Sequence, residues 1–420
     1  MNNPVRFAVI GLGGYGLVHI DAVRWLAKQH LARLVAVVAL HVDRQARPEL
    51  VRTLENEGVR LYASTEEFMQ TSVSTVDVLT VPIGIHQHVP LSIAALDAGL
   101  HVYCEKPVAA TVQEVDALVA AQSRSGLKVA IGYQHMYSNS MQQLKKRIVA
   151  GRLGQLRTAT LTCGWPRSKQ YFSRNEWTGK LRIGQDWILD SPANNALSHY
   201  VLNLLFAGSQ REGGAGFPKV LHAHLLRANA IESADTTEVK LTTDEGVRMH
   251  FILTHANITP FGPRMVIAGE RGTAYWQTDE GLTVIRYADG TSEIFDNRLH
   301  PHWRYDGFRN FVEALNGKAE VTCPPALARA QTLAINLMHE SCPDIHAVPE
   351  SAILEQEDWE MFPPNTKGMF RRIRDLDAYM EIAIREGVFF SELGVGWAGT
   401  PKSREMHGEG YRGFGAIGSR

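Results

Sequence analysis

Short runs rich in valine and isoleucine alternate with helix-length segments over about the first 135 residues. The runs are Phe7–Ile10, Leu34–Ala39, Val76–Val81, His101–Cys104 and Lys128–Ile131. Continuous apolar runs suit strands buried on both faces, and their alternation with helices predicts a parallel sheet with crossover helices. The helices expected between them are Gly14–Gln29, Thr65–Gln70, Val89–Ala98 and Thr111–Ser123, the last opened by a Thr111/Glu114 capping box. After Tyr133 the grammar changes. A basic helix (Ser140–Ala150) leads into Leu156–Cys163, an irregular aromatic stretch from Trp165 to Asp190, and a helix over Ala193–Phe206. From about Val220 to Ile294 the pattern is that of antiparallel strands: Val220–Leu226, Thr237–Thr242, Val247–Thr254, Arg264–Ala268, Gly272–Gln277 and Leu282–Tyr287. Turns such as Asp244-Glu245-Gly246 and Ala288-Asp289-Gly290 separate them. Helices are expected at Gly307–Leu315, Pro325–Glu340 and Lys367–Glu386, followed by a glycine-rich tail with no predicted structure. No internal repeat is visible.

The implied architecture is α/β, with a doubly wound parallel sheet over residues 1–135. An α+β domain with an open, mostly antiparallel sheet follows over 136–345, then an extension of unknown role over 346–420. A length of 420 residues favours two cores over one. Hydrophobic content of 45% and charged content of 21% are ordinary for a globular chain, and a net charge of -1 argues against a nucleic-acid or anionic-membrane surface. The four cysteines, Cys104, Cys163, Cys323 and Cys342, form no C-x-x-C pair, so reduced thiols in the cytoplasm are expected and no metal site is. With no basic n-region, apolar h-region or cleavage site before the first strand, no signal peptide is expected, and no apolar stretch reaches the roughly 18 residues of a membrane span.

Directly behind the first strand lies Gly11-Leu12-Gly13-Gly14-Tyr15-Gly16. In a G-x-G-x-x-G turn between strand and helix, the first glycine permits the turn and the second admits a pyrophosphate. The third lets helix and strand pack closely, while free N–H groups of the helix face the phosphates. Residues 11–16 are therefore candidate dinucleotide contacts in a Rossmann fold. The acid expected at the end of the second strand is absent; the nearest is Asp43, 27 positions beyond Gly16, followed by Arg44 and Arg47. That arrangement leaves both NAD and NADP open as cofactors.

The glycine turn, Leu96-Asp97-Ala98-Gly99-Leu100-His101-Val102-Tyr103-Cys104-Glu105-Lys106-Pro107, and Gly132-Tyr133 together resemble the Gfo/Idh/MocA family of NAD(P)-dependent oxidoreductases. The likeness covers about residues 5–340, and many members of that family act on sugars and polyols. The resemblance implies that Lys106 sits near the nicotinamide and the substrate hydroxyl, with Pro82, His88 and Glu105 beside the cofactor. It also implies a helix carrying Asp-x-x-x-His. Here His199 matches the histidine, and Asn195 stands in the aspartate's place. Asparagine can orient an imidazole but cannot stabilise its cation with a charge, so either His199 works with a lower pKa or Asp190 replaces the missing carboxylate.

Trp165, Arg167, Tyr171, Arg174 and Trp177 precede that helix. Their rings suit sugar faces, and the arginines suit hydroxyls or carboxylates. The expected function is hydride transfer between the dinucleotide and a carbinol carbon of a sugar, polyol or derivative, with Lys106 and His199 managing the proton. Transient oxidation coupled to glycoside cleavage, and dinucleotide binding without turnover, are the alternatives. A small carbohydrate-like substrate and a homo-oligomer formed through the second sheet are the expected partners.

Overall fold

The computed structural model describes residues 3–71, 73–277, 281–296, 298, 300–361 and 365–415. They fall into two compact units, one built from 1–109, 113–138 and 300–329, the other from 110–112, 139–299 and 330–420.

The first unit is a six-stranded sheet of β1 (Val5–Ile10), β2 (Ala32–Val38), β3 (Arg60–Tyr62), β4 (Val78–Val81), β5 (His101–Cys104) and β6 (Val129–Ile131). Its order is β3-β2-β1-β4-β5-β6, and every pairing is parallel. The order reverses between β1 and β4, which opens a ligand crevice beyond the carboxyl ends of those strands. Connecting helices are α1 (Tyr15–Ala27), α2 (His41–Ala46), α3 (Pro48–Asn56), α4 (Thr65–Thr71), α5 (Ile85–Asp97) and α6 (Val112–Ser125). α5 begins four residues earlier than Val89, and it carries Pro90 in its second turn, so the helix forgoes one backbone hydrogen bond there. The core joins Phe7, Val9, Leu34, Val37 and Val78 to Phe308, Phe311 and Val312. Those last three lie on α10 (Asp306–Leu315), so residues 300–329 belong with the first unit and not with a 136–345 domain.

The second unit starts with α7 (Asn139–Val149) and β7 (Leu156–Gly164), then α8 (Lys169–Phe172) and a two-residue ladder of β8 (Arg182–Ile183) with β9 (Asp186–Trp187). After α9 (Ser198–Ala207) come β10 (Pro218–Arg227), β11 (Thr236–Thr243), β12 (Arg248–Thr254), β13 (Phe261–Gly269), β14 (Gly272–Gln277), β15 (Leu282–Tyr287) and β16 (Ser292–Asp296). These strands align in the order β16-β15-β14-β13-β7-β12-β11-β10 and then β17 (His346–Ala347). The sheet is mixed: β7–β12 and β10–β17 are parallel and the other pairs antiparallel. α9 is buried along its whole length, and the Lys145 ammonium secures its end by donating to the carbonyls of Phe206, Ser209 and Gly214 at 2.7, 2.7 and 2.9 Å.

Beyond α11 (Pro325–Ser341) the chain is structured. Residues 367–386 are not one helix: β19 (Lys367–Ile373) pairs with β18 (Ile353–Trp359), and α12 (Leu376–Glu386) begins only after Asp375 turns the chain at φ 59°. Pairing with the upstream strand outweighs the amphipathic pattern that suggested a helix. The glycine-rich tail sends β20 (Met406–His407) back to pair with β10. Leu376, Met380, Phe390 and Trp397 join Leu226 and Ile252 in one core, which makes the segment from 346 onward part of the second unit. Residues 362–364 and 416–420 of that extension lie outside the described residues.

Candidate active site

In the first unit the glycine turn leaves β1 and enters α1. Gly11 adopts φ +93° and donates its N–H to Val38 O at 2.7 Å, which closes the turn onto β2. A Cβ at Gly16 would lie 2.6 Å from Gly11 O, so only glycine lets α1 approach the strand this closely. A Cβ at Gly13 would come within 3.7 Å of Asp43 Oδ1 and 3.8 Å of the Arg47 guanidinium. Asp43 and Arg47 on the α2 side therefore stand at the glycine turn, whereas Arg44 folds back to donate to Ala39 O at 3.0 Å. No side chain caps α1 and no acid occupies its first turn, so its leading N–H groups suit a pyrophosphate. The cradle fits a dinucleotide.

Val81 and Cys104 end neighbouring strands at the same edge. Pro82 follows the first and Glu105-Lys106-Pro107 the second. Glu105 is buried; its carboxylate meets His19 Nε2 at 3.1 Å and accepts the Lys106 N–H at 3.2 Å. A Cβ at Gly132 would fall 2.5 Å from Glu105 Oε1, so the loop after β6 is glycine to make room for this carboxylate. Around His19 stand the rings of Tyr15, Tyr103 and Phe308 at 5.9, 5.7 and 4.9 Å. Burial and the nearby Glu105 push the Tyr15 phenol above its usual pKa. His88 is fully enclosed, with Nδ1 2.7 Å from Pro107 O and Nε2 3.0 Å from Ile83 O. Both ring nitrogens thus lie against backbone carbonyls, and the single N–H of the neutral ring donates to one of them, so His88 packs between the β4 loop and the Glu-Lys-Pro loop. Burial lowers its pKa.

In the second unit the aromatic stretch gathers into one cluster. The Tyr171 ring lies between two guanidinium groups, Arg167 at 4.7 Å and Arg174 at 3.6 Å. Arg167 also approaches Trp165 at 6.0 Å, and Arg174 approaches Trp177 at 5.8 Å. All five candidate substrate residues are therefore brought together. Arg167 is buried, which lowers its pKa.

Asn195 does not share a helix face with His199. Pro192–Asn194 form a single 3-10 turn capped by the Ser191 side chain, Asn195 leaves it at φ -135° and ψ -96°, and α9 starts at Ser198. The Asn195 amide instead donates to Asp190 Oδ1 at 2.7 Å and reaches Tyr171 Oη at 3.5 Å, while Asp190 Oδ2 accepts the Gly179 N–H at 2.5 Å. Asp190 thus stands beside Asn195. His199 is buried on α9, its ring 6.3 Å from Tyr200, which packs edge-on to Trp165 at 5.7 Å.

Three participants escaped the sequence reading. His19 follows Tyr15 by one helical turn, a spacing that was available but silent about its partner Glu105. His255 packs against Tyr171 at 5.9 Å, holds Nδ1 2.8 Å from Trp165 O, and is kept neutral chiefly by burial. Glu360 reaches Ser168, next to Arg167, from a loop almost two hundred residues away, and no local pattern marks it. Among the described residues no group of three or more His, Cys, Asp or Glu could hold a metal ion, and no helix is long and apolar enough to cross a membrane.

Among curated proteins, the chain is 28% identical over 198 residues to the inositol 2-dehydrogenase of Azotobacter vinelandii, covering 47% of this chain and 52% of the relative. It is 30% identical over 203 residues to that of Pseudomonas savastanoi, covering 48% and 53%. The chain thus spans about half the length of these relatives. Among solved structures, the WlbA dehydrogenase of Bordetella pertussis in complex with NADH and UDP-GlcNAcA superposes with a TM-score of 0.65 at 22% identity, over 81% of this chain and 97% of that one. That likeness is one of fold. The model of the oxidoreductase family with NAD-binding Rossmann fold, GFO_IDH_MocA, matches residues 5–133. Residues 5–133, with their 3-2-1-4-5-6 sheet and glycine turn, are thus similar to the NAD-binding Rossmann fold of the Gfo/Idh/MocA oxidoreductase family.

Proposed function

We propose that the protein is an NAD(P)-linked oxidoreductase that interconverts a carbinol and a carbonyl on a sugar, polyol or sugar derivative. The observation that carries this reading is the placement of the Gly11–Gly16 turn and Glu105-Lys106-Pro107 at one carboxyl edge of one sheet, beside the β1/β4 reversal. The inositol 2-dehydrogenase relatives support the substrate class.

When bound, the nicotinamide supplies a hydride acceptor or donor. The chain's own part divides among named groups. The first turn of α1 binds the pyrophosphate, and Asp43 and Arg47 meet the adenine ribose. The His19–Glu105 pair holds the loop that presents Lys106, whose Nζ moves the substrate hydroxyl proton. Tyr171, Arg167 and Arg174, with Trp165 and Trp177 alongside, hold the substrate ring, and Asp190 with Asn195 accept and donate at its hydroxyls. His199 is the second proton-handling group. Self-association through the second sheet belongs to this reading, and the molecular mass in solution tests it.

The deciding experiment incubates the chain with NAD or NADP and a panel of inositols, aldoses and nucleotide sugars while following reduced nicotinamide. Stoichiometric reduction with one member supports the proposal and identifies the cofactor. Glycoside cleavage without net reduction would replace it with the transient-oxidation chemistry. Dinucleotide binding with neither reaction across the panel would leave a binding protein.

A further inference from the structure

One face of the central strands of the second sheet carries a polar array where a core face would be apolar. Register aligns Lys240 on β11 with His250 on β12 and Thr160 on β7. The neighbouring rung aligns Thr242, Arg248 and Thr158 on the same three strands. Two positions apart along each strand, the rungs share one face, and directly opposed side chains lie about 5 Å apart. All six residues line a cavity of about 640 Å³ that is closed on its other side by Phe389 and the end of α12.

His250 lines this cavity from a buried position. Its ring is 6% exposed, yet neither nitrogen makes a hydrogen bond among the described residues; the nearest carboxylate oxygen, on Glu238, is 3.7 Å from Nε2. A buried imidazole without partners is destabilising unless a ligand or water satisfies it. Arg248 is exposed and makes no ion pair among the described residues. Lys240 sits 3.0 Å from Glu392 and 4.1 Å above the Phe389 ring. The remaining charges are accounted for: Arg385 pairs with Glu386 at 2.9 Å, and Glu405 lies 3.5 Å from His407.

We propose that this cavity is a second ligand site, in which Arg248, Lys240, His250 and the hydroxyls of Thr158, Thr160 and Thr242 bind a phosphoryl group. Two cations and several hydroxyl donors match the three oxygens of a phosphoryl better than the two of a carboxylate. The volume exceeds what inorganic phosphate needs, so the ester of a small polyhydroxylated body fits, with Glu386 and Glu405 accepting from its hydroxyls.

The test titrates the full chain with inorganic phosphate and with glucose 6-phosphate by calorimetry at constant ionic strength. Saturable binding is expected for both, and Arg248→Ser, a surface change that leaves the fold intact, should weaken it about tenfold, which is about 1.4 kcal/mol. Tighter binding of the ester identifies a phosphorylated metabolite as the ligand; equal affinities identify free phosphate. A second measurement follows the His250 imidazole resonances, assigned by their loss in His250→Gln, which should move with bound phosphate. Absent saturation, an unchanged affinity in Arg248→Ser, or unmoved His250 resonances would overturn the proposal.

Discussion

Single methyl groups added along the glycine turn separate folding from cofactor binding. In Gly16→Ala the new Cβ would meet Gly11 O at 2.6 Å, Gly11 C at 3.0 Å and Ile10 O at 3.3 Å, all of them backbone atoms. Backbone cannot rotate away as a side chain can, so α1 must slide outward from β1. Overpacking of this kind costs about 1–3 kcal/mol, offset by up to about 1 kcal/mol from replacing a helical glycine by alanine. A net loss of about 1–2 kcal/mol in folding stability is expected. The displaced helix also withdraws first-turn N–H groups from the pyrophosphate. One charge-assisted hydrogen bond is worth about 1.5–3 kcal/mol, so dinucleotide affinity should fall about tenfold to a hundredfold. Gly13→Ala behaves differently. Its Cβ would meet nothing in the protein closer than 3.7 Å, so stability should stay within about 0.5 kcal/mol while the methyl occupies phosphate space. Urea denaturation and calorimetry with NAD measure the two quantities on each variant. If Gly13→Ala binds NAD as tightly as the unmodified chain, the turn is not the pyrophosphate cradle and the reasoning fails.

Lys106→Ala should lower turnover by about 10²–10⁴ while leaving dinucleotide affinity within a few-fold, and an unaltered kcat on a true substrate would remove its role. Asn195→Asp places a second carboxylate where an amide donates to Asp190 at 2.7 Å. Repulsion between the two carboxylates raises the folded-state pKa of one of them, so the variant should lose about 2 kcal/mol at neutral pH and recover as pH falls from that raised pKa toward the ordinary value of about 4; a pH-independent loss would show that charge is not the cause. Burial pushes the Glu238 carboxyl up to about 8, so the folded chain keeps a proton that the unfolded chain releases near 4.5. Stability should therefore fall as pH rises between those values, against the opposite slope from His224 and His250, whose pKa values are lowered to about 4 and about 3. Glu238→Gln should abolish the Glu238 part of that slope in urea midpoints measured across the window, and a slope identical to the unmodified chain would contradict the burial argument.

The sequence by itself determined five of the six parallel strands, because each is an apolar run and the periodicity is local; β3 (Arg60–Tyr62), partly exposed, carries no such run. It determined the glycine turn for the same reason: tight turning, close packing and phosphate approach each demand glycine at a fixed spacing. The strands from β10 to β15 were also legible, since alternation and turn residues sit side by side in the chain. What only tertiary structure decided depends on partners distant in sequence. The amphipathic pattern of Lys367–Ile373 became a strand because Ile353–Trp359 was there to pair with it. Residues 300–329 joined the first unit because Phe308 and Phe311 fill a core begun by Phe7. Asn195 left the helix because its amide is held by Asp190, a contact that no helical spacing anticipates. His88 turned to backbone carbonyls of Pro107 and Ile83, and Glu105 found His19 across 86 positions. Short-range periodicity marks most of the elements, and pairing with a distant strand overrides it at Lys367–Ile373. The hydrogen-bond partner of a buried polar side chain is chosen by whatever the fold brings within 3 Å, and burial makes that choice compulsory.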